Sequence, residues 1–216
     1  IKPETIIKKS KQLGITFERA MNYLIIISAA IAAGIIVLAD KIVLLFKAGY
    51  GESILPLRIS MLAIPFIFLI FPAGSLLNAC DRQKTNTAIM AAGLAISIMM
   101  NILLIPRWQA IGASITVLAT NFFMFVAILA VVPRIISCKS GKIFKVFFKS
   151  LASVALMAVA AWYLKSFINI FIVIVISAFI YFASLFLLKG FRKEDIASIF
   201  QSFIKKKEIN VEGDNI

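Results

Sequence analysis

A chain of 216 residues with 62% hydrophobic side chains has more apolar surface than a soluble core of that size can cover. Its net charge of +13 would suggest nucleic acid in a soluble protein, but the charges lie between long apolar stretches. There is no histidine, and none of the ten acidic residues falls inside a stretch. That removes most acid–base, metal-assisted and carboxylate-pair catalysis, and the chain reads as a non-enzyme without cofactor or metal site.

Six apolar stretches occupy 22–39, 59–79, 85–105, 110–132, 147–164 and 166–188. At a rise of ~1.5 Å per residue, roughly 20 helical residues cross a hydrocarbon core of about 30 Å, so each stretch is long enough to span a membrane. The reading is an all-α polytopic membrane protein. It divides into a cytoplasmic amphipathic lead-in (1–21), four spans (22–132), a basic cytoplasmic loop (133–146), a further transmembrane hairpin (147–188) and a cytoplasmic tail (189–216). The charge inside the stretches is Lys149, close enough to one end to reach the head groups. With strict alternation and a cytoplasmic N-terminus, 18 of the 23 basic residues fall inside and 5 outside. This is the positive-inside bias, and anionic lipid accounts for the basic charge without nucleic acid. Both termini are then cytoplasmic, and Cys80 and Cys138 face a reducing compartment, where no disulfide is expected.

In the lead-in, Leu13, Phe17, Met21 and Leu24 recur at helical spacing, the pattern of a helix lying on the inner surface or of an ordinary loop helix. The first 21 residues do not form a cleavable signal peptide, and a chain starting at Ile1 suggests a fragment of a longer protein. The second span contains Pro65 and Pro72, each of which removes a backbone donor and crowds the carbonyl four residues back. A bent helix is expected there, either a static kink or a hinge. Arg82 and Lys84 follow in a cytoplasmic turn, placed for head-group contact.

The spans hold only mild polar groups. Asn78 ends the second and Asn101 lies near the outer end of the third; Gly93 and Ser97 form a small-xxx-small pair. Pro106, Arg107, Trp108 and Gln109 form a tight outer turn, with Trp108 an interfacial residue type. In the fourth span Gly112, Thr116 and Thr120 repeat every four residues, with Asn121 beside them. Two readings fit these groups: close helix packing with interhelical hydrogen bonds, or the hydrophilic wall of a cavity that binds sugar. After the sixth span, Ile196, Ile199, Phe200, Phe203 and Ile204 outline a second surface helix, ending in Lys205–Lys207.

The order of motifs in 78–120 resembles the polysaccharide biosynthesis proteins, lipid-linked oligosaccharide flippases of O-antigen type within the multidrug/oligosaccharidyl-lipid/polysaccharide exporter superfamily. The matching residues are Asn78, Arg82 and Lys84, Asn101, Leu104-Ile105-Pro106, Gly112-Ala113 and Ala119-Thr120. Segments 23–46 and 188–195 are similar too, so the resemblance runs from Lys8 to about Asp195. It departs at Asp81, where the family has a turn glycine, and at Gln109-Ala110, where it has Tyr-Gly. The resemblance implies the last six helices of a two-lobed exporter, with an N-terminal lobe as a missing partner. It also implies a polyprenyl-diphosphate-linked oligosaccharide as substrate in a cytoplasmic membrane. On that reading Asn78, Asn101, Thr116 and Thr120 are the cavity candidates, and diphosphate-binding basic residues lie elsewhere in the protein. The competing readings are a drug or metabolite exporter of the same superfamily, a membrane-embedded glycosyltransferase or polymerase, and a non-transporting scaffold.

Overall fold

The computed structural model describes residues 3–46, 48–135, 140–165 and 169–187. The expected tail helix around Ile196–Ile204 and Cys138 lie outside them. The described elements are helices α1 (Pro3–Phe46), α2 (Ile54–Met61), α3 (Ile64–Ala79), α4 (Gln83–Val131), α5 (Ser140–Leu164) and α6 (Ile170–Leu187), with short 3₁₀ turns at Ala48–Ser53 and Val132–Arg134. The protein is an all-α, multi-pass membrane protein. Five helical segments are long and apolar enough to cross a bilayer.

One of the five crosses twice. α4 has 49 residues, which at ~1.5 Å per residue is about twice a bilayer core. It is interrupted at Gln109, whose φ of 46° and ψ of −124° leave helical space. The arms 83–108 and 110–131 then run antiparallel. A Cβ on Gly112 would meet the Leu104 carbonyl, and one on Gly93 would stand 2.6 Å from Met124 Sδ. Both pairs are nearly symmetric about the interruption, so the six expected passes are present. The reversal falls within the expected outer turn 106–109, at its last residue rather than at Pro106-Arg107. Those two residues belong to the first arm, because a proline near a helix end leaves free only a carbonyl that water can reach.

The proline pair also separates. Pro65 crowds the carbonyl of the residue four before it, and α2 ends at that residue, Met61. Leu62 and Ala63 bridge the break by donating to Ile59 O (3.1 Å) and Ser60 O (3.0 Å), the tighter 3₁₀ pattern. Pro72 lies inside α3, which continues through it.

α3 closes on a Schellman motif. Arg82 N–H donates to Leu77 O (2.8 Å) and Asp81 N–H to Asn78 O (3.4 Å), with Asp81 at φ 56°. This left-handed position favours glycine, the residue that the resembled family carries there. Asp81→Gly should therefore raise stability by about 0.5–1 kcal/mol, read as a higher unfolding midpoint in detergent. An unchanged or lowered midpoint would refute the turn assignment.

α1 is the axis of the bundle. At one end Phe17, Met21 and Ile25 pack with Leu69, Ala73, Leu76 and Leu77 of α3 and with Ile128 of α4. Near the middle Ile26 packs with Met157 of α5 and with Tyr181 and Leu185 of α6. At the other end Leu38 meets Ala161 and Val173. These levels agree with passes that alternate in direction. The lead-in differs from expectation: from Pro3 it continues into the first span as one 44-residue helix. Phe17 and Met21 are covered by α3 and α4, so protein takes up this apolar face, which one of the two readings placed on lipid.

The last hairpin is pinned at its turn. Lys165 Nζ donates to Asp40 Oδ2 at 2.8 Å, tying the end of α5 to α1. The sixth span was expected from 166, but α6 starts at Ile170, because Asn169 Oδ1 accepts the Phe171 N–H (3.3 Å) as an N-cap. Conversely, α5 starts at Ser140, inside the expected basic loop.

Candidate functional site

α3 presents two different sides. Leu69, Ile70, Ala73, Leu76 and Leu77 are buried against α1 and α4, whereas Phe71, Ser75 and Asn78 are exposed. The exposed positions are four and three residues apart and so form one stripe. Phe71, at 68% exposure, suits lipid or a partner surface. A serine and an asparagine open to the surroundings on a membrane-crossing helix call for water, a polar ligand or another part of the protein, since lipid cannot satisfy them.

Asn78 is held at the end of that stripe. Asn86, on the first arm of α4, donates from Nδ2 to Asn78 Oδ1 at 3.2 Å. Asn86 is itself buried beside Gly74, and its Oδ1 has no partner among the described residues. Sequence reasoning missed Asn86, because it reads as part of the polar cap of the third span. The available signal was a pair of asparagines flanking a helix–turn–helix, a spacing that lets the two side chains meet across it. Asn86→Ala should cost about 1–2 kcal/mol in unfolding and free the Asn78 amide. An unaltered midpoint would show that the bond contributes nothing.

The other cavity candidates lie in the hairpin seam. Thr116 is fully buried and donates to Gly112 O (3.0 Å), and Thr120 is 6% exposed beside Gly93. The stripe of small residues packs one arm against the other, as the packing alternative expected, and Thr116 and Thr120 are buried in that seam rather than open to solute. Back-bonding to the preceding turn satisfies Thr116 without a ligand. Asn101 continues the seam-facing row Gly93, Ser97, Asn101 and stands half-buried at its edge. Arg82, Lys84 and Arg107 are exposed at helix ends, where they can reach head groups.

The site thus offers neutral hydrogen-bond donors and acceptors from amides and hydroxyls. Among the described residues no three His, Cys, Asp or Glu converge to hold a metal ion. Such a surface can bind and release a hydroxyl- and amide-rich solute but has no activated nucleophile.

No protein-family model matches the sequence, and no curated protein matches it. Among solved structures, the chain is similar to the lipid II flippase MurJ in an inward closed conformation, with a TM-score of 0.67 and 16% identity. The match covers 90% of this chain and 40% of that one, so the chain spans well under half the length of its structural neighbour. The chain therefore shares the polytopic helical fold of part of that protein.

Proposed function

We propose that the chain is the second-lobe portion of a flippase that moves a polyprenyl-diphosphate-linked oligosaccharide across the cytoplasmic membrane for cell-surface polysaccharide synthesis. The observation that carries this reading is the fold shared over 90% of the chain with a lipid II flippase. The motif order in 78–120 supports a polysaccharide substrate. The 18-to-5 division of basic residues supports cytoplasmic termini, with anionic lipids as surface partners. The protein acts by alternating access and carries out no covalent chemistry. Its lobe rocks against an N-terminal lobe, and the glycan head passes along polar groups while the polyprenyl tail stays in lipid. Asn78 and Ser75 are the wall donors, and Asn101 joins them where the seam opens. The helix break before Pro65 and the proline at Pro72 are the places where the wall bends.

The test uses the full native protein in proteoliposomes and a fluorescent polyprenyl-diphosphate oligosaccharide. Asn78→Leu should lower the initial flipping rate roughly fivefold, the loss of about 1 kcal/mol of hydrogen bonding in the crossing state. Ile102→Val, on an exposed apolar surface, should leave it unchanged. An Asn78→Leu protein that folds less well but flips at the normal rate per folded molecule would contradict the wall assignment.

A further inference from the structure

At the end of the bundle opposite Asn78 lies a cleft of about 410 Å³ between the 48–61 segment and the α4 reversal. Its lining includes Glu52, Leu55, Pro56, Arg58, Trp108 and Gln109. We infer that this cleft is a carbohydrate-binding site at the outer mouth of the protein, apart from the crossing stripe and independent of whether the chain flips lipid-linked glycan.

Three observations point to sugar. First, Trp108 presents its indole 53% exposed at the rim, a flat amphipathic surface for the C–H face of a pyranose. Second, three planar polar groups converge beside it. Arg58 is fixed in place by donating from Nε to Ile36 O of α1 at 3.1 Å, and its terminal nitrogens make no hydrogen bond among the described residues. Glu52 and Gln109 are exposed on either side of the cleft. Planar groups that donate and accept in pairs match the vicinal hydroxyls of a sugar. Third, Gln109 is held in a backbone region that glycine favours, at the cleft itself, and strained residues cluster where a side chain must be presented.

The charge balance selects the ligand class. Glu52 offsets Arg58, so the cleft disfavours a free diphosphate and suits a neutral glycan. The volume falls in the range of about 300–1,000 Å³ typical of small-ligand sites. A tryptophan acting only as a membrane anchor would need none of the three polar groups.

The test is 19F NMR of the full native chain in nanodiscs, labelled with 5-fluorotryptophan, with the Trp108 resonance assigned through Trp108→Phe. Soluble chitotetraose, maltotetraose and isomaltotetraose are titrated in one arm. In the other, the same glycans are presented as neoglycolipids in the disc. The expected result is a saturable shift of the Trp108 resonance by at least one glycan while Trp162 stays still. Arg58→Ala should weaken that glycan about tenfold, as loss of a charge-assisted hydrogen bond does. Response to the soluble sugar supports a free-glycan site, and response to the neoglycolipid alone supports a membrane-linked one. No saturable shift in either arm overturns the inference. So does an equal shift with sodium pyrophosphate, or a shift that Arg58→Ala and Glu52→Gln both leave intact.

Discussion

Gly112→Ala should destabilise the chain by about 3 kcal/mol, the upper range for forcing one extra carbon into a closed contact. The added Cβ would press on the Leu104 carbonyl, with the carbonyl carbon at 2.6 Å and Ile105 N at 3.1 Å. All of these are backbone atoms, so relief requires the two arms of α4 to part. Gly93→Ala is the internal comparison. Its Cβ would meet Met124 Sδ at 2.6 Å and Cγ at 2.7 Å, but that side chain is flexible and can swing aside. The expected cost there is about 1 kcal/mol. Unfolding midpoints in detergent measure both, and equal costs would contradict the hairpin geometry.

Tyr181→Ala should cost about 3–5 kcal/mol and loosen the last hairpin, whereas Tyr181→Phe should cost about 1–2 kcal/mol. Tyr181 is completely buried, donates from its hydroxyl to Ile26 O at 2.8 Å and lies 3.0 Å from Ser150 Oγ. One side chain thus joins α6 to α1 and α5 while packing on Ile26, Met157 and Leu185. The Phe variant keeps the volume and loses the hydrogen bonds, so the pair separates packing from polarity. Phe179→Ala, at a position 75% exposed, is the control and should be near neutral in detergent. If Tyr181→Phe costs as much as Tyr181→Ala, the hydroxyl rather than the packing holds the hairpin. If neither costs anything, the hairpin is docked by other means.

The passes were legible in the sequence because bilayer thickness imposes a minimum apolar length, and the six stretches meet it. What sequence could not supply was where helices stop. α1 runs through its lead-in because Phe17 and Met21 find partners on α3 and α4, a tertiary effect that periodicity does not reveal. The reversal falls on Gln109, the last residue of the expected turn 106–109; Pro106 signals the turn locally, but nothing in the pattern shows which of the four residues leaves helical space. Asp81, by contrast, was flagged by its departure from a turn glycine, and the structure places it in the conformation that glycine would adopt.

The candidate site was legible only in part. Asn78 was identifiable as a polar residue in an apolar stretch, but its partner Asn86 and the exposed Ser75 depend on how α3 meets α4. The Gly112–Thr116–Thr120 row read more readily as packing than as a cavity wall, and the closeness of the two arms agrees with packing. Tyr181 and the Arg58–Trp108 cleft join residues from distant segments, which no local pattern can display.

Transport of lipid-linked glycan is tested most directly through flipping by the full native protein in proteoliposomes loaded with a fluorescent polyprenyl-diphosphate oligosaccharide, scored by the fraction of glycan that a membrane-impermeant glycosidase can cleave. This fraction should rise with time only when the protein is present, and a fluorescent phosphatidylcholine in the same vesicles should not be moved. A glycan fraction that stays constant while a small cationic or neutral drug is exported would contradict it and place the chain among the exporters of other solutes.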